Sequence, residues 1–183
     1  MSLSFLRPAL TLTLLVSAAY FTSVMAQERV TPVVPYGGIY DMPEATVTPD
    51  PEQAYRIVVD VFTGSDDPDS TGFGLYNVAR MLNLFAVGGV PADSLDVVLA
   101  IHGGATFDVV TDAEYREIFG VDNPNLPLIR SLREAGVKVT VCGQSLLSRE
   151  IPTDAVAPEV EIATSMLTTV AMYQMRGYGL LRF

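Results

Sequence analysis

Five short runs of apolar, mostly β-branched residues punctuate this chain: RIVVDVF (56–62), LDVVLAI (95–101), VKVTV (137–141), VEIAT (160–164) and GLLRF (179–183). Each is strand length, and several end in small or turn-forming residues such as Thr63-Gly64, His102-Gly103-Gly104 and Cys142-Gly143. Near-continuous apolar runs predict strands buried on both faces, as in a parallel sheet.

Between the runs the period changes to that of helices. Over 71–87, Leu75, Val78, Ala79, Leu82, Phe85 and Ala86 form a single stripe. Thr111 and Glu114 have capping-box spacing before a short helix ending near Phe119. NPNLPLIRSLREAG opens with prolines in its first turn and closes on Gly136, a left-handed stop. Residues 165–176 give a last helix through Met166, Leu167, Val170, Ala171 and Gln174. Strands alternating with helices predict a three-layer α/β/α sandwich around a mainly parallel sheet of about five strands. Strand order is not encoded in this pattern.

The N-terminus lies outside it. Residues 1–26 hold one basic residue, Arg7, an apolar run from Ala9 to about Phe21, and Val24 and Ala26 placed as a cleavage site before Gln27. That layout predicts a secretory signal peptide and a periplasmic protein. The run is short for a span of about 20 residues, so no stable membrane span is expected after cleavage; an uncleaved anchor is the alternative. Residues 27–54 carry Pro32, Pro35, Pro43, Pro49 and Pro51, which exclude a helix or long strand. They read as an extended arm that lays Tyr36 and Tyr40 on the domain or on a neighbouring subunit, or else as a disordered leader. The third region, 55–183, is the folded domain.

Charge narrows the partners. The net charge is −10, and becomes −11 once Arg7 is lost. Such a chain repels phosphates, so nucleic acid is not expected as a partner.

In parallel sheets ligands gather beyond the carboxyl ends of the strands. The sole cysteine, Cys142, and the sole histidine, His102, both fall at such ends. Cys142 cannot form an internal disulfide, so in an oxidising compartment it is either buried or useful. If useful, the backbone N–H groups of Gly143, Gln144 and Ser145 would face its sulfur, small Gly143 would leave it approachable, and His102 would move its proton. If buried, it is a small apolar plug.

Other chemistries are excluded or weak. One Cys and one His do not close a zinc site, and there is no C-x-x-C for dithiol exchange. GQS (143–145) lacks the second glycine of a nucleophile elbow, since position 147 is leucine. STGFGLYN lacks the third glycine of a dinucleotide loop and follows Asp66, Asp67 and Asp69. No metal and no cofactor are expected.

YRIVVDVFTG, LYNVARMLNLF with GVPADSLDVVLAIHGGA, FGVDNPNLPLIRSLREAGVKVTVCGQSL and the tail SMLTTVAMYQMRGYGLL together resemble, in order, the DsrE/DsrF-like sulfur-relay family, in its exported single-domain form. The resemblance covers about 55–183. It implies a homo-oligomer, a trimer or two stacked trimers. It also implies that the strand-end cysteine, here Cys142, accepts sulfane sulfur as a persulfide and passes it to an acceptor. The chain would be a carrier more than a turnover enzyme; sulfur donor and acceptor are not named by the sequence. The rival expectation is a ligand-binding or assembly module. Its rim pocket would involve His102, Gly103, Gly104, Asn123 and Asn125, and Cys142 would be packing.

Overall fold

In the computed structural model, which describes residues 28–183, all five apolar runs are strands: β1 (Tyr55–Val61), β2 (Leu95–Ile101), β3 (Lys138–Cys142), β4 (Glu161–Ala163) and β5 (Gly179–Arg182). The proposed leader, 1–26, lies outside the described residues. Every strand pairing is parallel, and the order is β4-β3-β2-β1-β5.

The order dictates where the helices go. From β1 to β4 the chain steps along the sheet in one direction. Right-handed crossovers therefore put α1 (Phe73–Val87), α2 (Asp112–Phe119), α3 (Leu126–Glu134) and α4 (Gly143–Leu147) on one side. After β4 the chain returns to the far edge, so α5 (Met166–Met175) lies on the other side. The packing agrees. Val59, Val61, Leu99, Ile101, Val139 and Val141 form one core with Leu75, Val78 and Leu82 of α1 and Leu128, Ile129 and Leu132 of α3. Their strand neighbours Val58, Asp60, Val98, Ala100, Thr140 and Cys142 are also buried, but belong to the opposite face.

The local signals hold. Thr111 Oγ1 accepts the Glu114 N–H at 3.4 Å and starts α2, which ends at left-handed Gly120. Gly136, at φ +88°, stops α3. The edges depart from the expectation of strands buried on both sides: β5 is exposed along its whole length and β4 is largely exposed. α5 departs further, because its buried residue is Thr169 while Leu167 and Met175 face outward.

The arm is ordered on the domain. Val30 and Ile39 form an antiparallel bridge, and Val34 is fully buried. Asn83 of α1 clamps it: Oδ1 accepts from the N–H groups of Val33 and Val34, and Nδ2 donates to the carbonyls of Val34 and Tyr36. Tyr36 packs against the core, whereas Tyr40 is exposed beneath Arg29.

Candidate functional site

Adjacent strands bring three reactive side chains to the carboxyl edge of the face under α5. Ile101 registers with Val61 on one side and Val141 on the other. The next position, His102, therefore lies opposite Cys142. Side chains in register on parallel strands share a face, about 4.8 Å apart in the pairing direction. Asp60 lies two positions back from Phe62 and faces the same way, with Arg182 of β5 as its register partner.

His102 continues β2 in extended conformation, its N–H donating to the Val61 carbonyl at 2.9 Å. Its ring turns toward β1, where Nε2 meets Asp60 Oδ1 at 2.5 Å. Arg182 Nε approaches the other carboxylate oxygen at 3.5 Å. The two arms of this network differ in weight. The Asp60 and His102 side chains are 9% and 17% exposed, whereas Arg182 is 64% exposed and its pairing is screened by water. The Phe62 ring covers the imidazole at 5.2 Å between centroids. Gly103 makes room for it: its φ is +58°, and a Cβ there would lie 2.4 Å from the Phe62 ring.

Cys142 ends β3 and is 5% exposed. The expected cradle of backbone amides is not made. Cys142 occupies the N-cap position of α4, but its side chain accepts no bond there. Its polar neighbour is Ser165 Oγ, at 4.0 Å, the residue that caps α5. Gly143 also has a different reason to be small, since a Cβ would stand 2.9 Å from the Ala163 carbonyl of β4. Its smallness admits β4.

The other candidates divide. Gly104 and Gln144 are exposed at the rim. The Ser145 hydroxyl is engaged by other groups, bonding Thr106 Oγ1 at 2.7 Å and receiving Arg149 Nη1 at 2.8 Å. Asn123 and Asn125 are buried and serve the fold. Asn123 donates to the carbonyls of Asp108 and Val110, and Asn125 Oδ1 accepts the Gly72 N–H at 2.6 Å. These two asparagines tie together the segments that carry α1, α2 and α3.

Those asparagines surround a group that the motif search passed over. Asp108 is 2% exposed, and its Oδ2 has no hydrogen-bond partner. Burial pushes its carboxyl up to about 7, against a smaller opposing effect of the Ser65 backbone N–H. Asp60 was missed as well, although it left a signal: one carboxylate inside the apolar run RIVVDVF, where an unpaired charge is costly. Among the described residues no group of three or more His, Cys, Asp or Glu is placed to hold a metal ion, and no helix is long and apolar enough to cross a membrane.

The fold is a parallel α/β sandwich whose lone thiol ends β3, the strand beside the central one. Residues 56–183 match the model of the DsrE/DsrF-like family, and the chain belongs to that family. Two solved structures share the fold. The protein of unknown function MTH1491 from Methanobacterium thermoautotrophicum is 18% identical with a TM-score of 0.51, and the YchN protein of E. coli is 20% identical with a TM-score of 0.52. Each match covers 70% of this chain and 99% of the other. No curated protein matches the chain.

Proposed function

We propose that this protein is an exported sulfur carrier that holds sulfane sulfur as a persulfide on Cys142. The observation that carries the reading is the position of the sole thiol: the last residue of β3, beside the imidazole-bearing end of β2, in a DsrE/DsrF-like domain. A thiol is the one nucleophile here that forms a persulfide, and it needs a proton acceptor nearby to do so at neutral pH. Export rests on the leader-like residues 1–26 and would put the carrier in the periplasm. Assembly into a trimer or two stacked trimers is part of the same proposal. Its support is the apolar outer side of α5, where Leu167, Met172 and Met175 are exposed.

Incubation with inorganic polysulfide, followed by mass spectrometry of the intact protein and its peptides, tests the reading. The expected result is a gain of about 32 Da, one sulfur atom, on the Cys142 peptide, reversed by a thiol reductant. An unmodified Cys142 in protein whose thiol reacts with a small alkylating agent would sink it.

The burial of Cys142 favours a second reading. In it the thiol is packing, and ligands occupy a groove of about 290 Å³ between β3, β4 and α5, lined by Thr140, Ala163, Thr169 and Tyr173. That reading expects Cys142 to resist alkylation until the protein unfolds.

A further inference from the structure

The groove between β3, β4 and α5 is polar where a helix–sheet contact is ordinarily apolar. α5 turns Thr169 toward the sheet and keeps Leu167 and Met175 outside. Thr140, 4% exposed, lines the same groove from β3. Aliphatic side chains at these two positions would pack the space shut. With threonines there, about 290 Å³ stays open.

Hydrogen-bond accounting gives the groove two unlike parts. Three of its threonines have already spent their hydroxyl protons. Thr140 Oγ1 donates to the Leu99 carbonyl at 2.6 Å, and Thr168 and Thr169 Oγ1 donate to the Ser165 carbonyl at 2.9 and 3.0 Å. Each hydroxyl keeps oxygen lone pairs and has no hydrogen left to give. Here the groove accepts, and it suits a ligand that brings N–H donors. At the start of β3 the sign is opposite. Lys138 Nζ meets Glu161 Oε2 at 3.0 Å, and Arg133 Nη1 stands 3.9 Å from Glu161 Oε1. Two cations share one carboxylate, which leaves a surplus positive charge in a chain of net charge −10. Lys138 has three N–H donors, and the bond to Glu161 uses one. Lys138 and Thr140 are two positions apart on one face of β3, about 7 Å.

We infer that this groove binds a small zwitterion of the amino-acid type, a free amino acid or a dipeptide, with its carboxylate on Lys138 and its ammonium among the threonine oxygens. A dicarboxylate would set its second charge against oxygens that have no proton to offer. A plain amine would meet the surplus charge of Lys138 and Arg133 with another cation. The volume is at the small end of ligand sites, about 300–1,000 Å³, and Ala163 and Tyr173 leave apolar wall for a side chain. The inference rests on the groove reading given above, to which it adds the ligand class, and it needs no reaction at Cys142.

Calorimetric titration of the full chain with L-leucine and with L-alanyl-L-leucine, each beside its N-acetyl and its carboxamide form, measures what either charge contributes. Threonine-methyl NMR on the same samples locates the ligand. At least one zwitterion is expected to bind and to shift the methyl signals of Thr140 and Thr169. Each capped form should bind about fivefold or more weakly, the loss of one partly screened, charge-assisted hydrogen bond. Lys138→Gln, at a half-exposed position that does not endanger folding, should weaken the zwitterion by a similar factor. It should leave the carboxamide unchanged, because that ligand already lacks the group Lys138 holds. Capped forms that bind as well as their parents would overturn the ligand class and leave the groove reading standing. Shifts confined to other threonines, or no heat from either zwitterion, would overturn both. The persulfide reading is untouched by these outcomes, since polysulfide loading tests it separately.

Discussion

On the side that meets α1 and α3, β2 presents Val97, Leu99 and Ile101; under α5 the same strand presents Val98, Ala100 and His102. The neighbours repeat the contrast. β1 shows Val59 and Val61 to one side and Asp60 to the other, and β3 shows Val139 and Val141 against Thr140 and Cys142. The first side is large, aliphatic and covered by helices. The second is small or polar and covered by α5 alone. One sheet therefore separates two tasks by parity: odd positions of β1 to β3 hold the fold, and even positions carry reactive groups. Chemistry at Cys142 and His102 can vary without repacking the main core.

The sharpest test of that division is the polar group on the wrong side. Asp108 sits among α1, α2 and α3, and its raised carboxyl makes stability depend on pH. In the unfolded chain it titrates near 3.8, in the folded chain near 7. Below about pH 4 both states hold the proton. As pH rises toward 7 the unfolded chain loses its proton first, so folding stability falls across that window and levels off above it. The full change is about 4 kcal/mol. Asp108→Asn, which has no proton to lose, is expected to flatten this part of the stability–pH curve in urea titrations. An unchanged curve would mean that the carboxyl is hydrated or paired in solution, and that the helical side tolerates charge after all.

Next in size is a direct comparison of adjacent positions. Leu99→Ala removes a fully buried side chain from the aliphatic side of the central strand and is expected to cost about 3 kcal/mol. Thr140→Val, on the other side, loses the hydroxyl that donates to the Leu99 carbonyl at 2.6 Å and should cost about 1 kcal/mol. Equal losses in denaturant titrations would erase the distinction between the two faces.

How much of this was legible beforehand follows from which interactions are local. β2 begins and ends where its apolar run does, Thr111 and Gly136 mark helix ends, and Cys142 is the last residue of its strand. These features depend on residues a few positions apart. The site is different. Asp60 and His102 are 42 residues apart in sequence, and their pairing depends on β1 lying next to β2. Asn83 gave no motif either, because its partners are backbone groups of an arm 46–50 residues away. Asn123 and Asn125 show why residue type alone does not mark a site, because the residue types that bind ligands also satisfy buried backbone groups. Strand order converts a list of polar residues into sites and struts, and no periodicity in the chain encodes it.

The smallest expected change in folding stability belongs to α5, and it probes the outer limit of the comparison. This helix inverts the usual rule. Thr169, 7% exposed, faces the sheet, while Leu167, Met172 and Met175 are 75%, 50% and 89% exposed. A helix that must be soluble on its own would place charge at those outward positions. Leu180 on the adjacent edge strand is 44% exposed and extends the apolar surface. Glutamate at position 175 touches little in the single chain, so Met175→Glu should alter its unfolding free energy by less than about 0.5 kcal/mol. In an assembly the same change would bury an unpaired carboxylate at each subunit contact, a cost of several kcal/mol that a modest interface does not survive. Sedimentation is therefore expected to show a wild-type trimer or pair of trimers and a monomeric Met175→Glu protein of unchanged helicity. A wild type already monomeric would mean that this surface meets something other than a copy of itself.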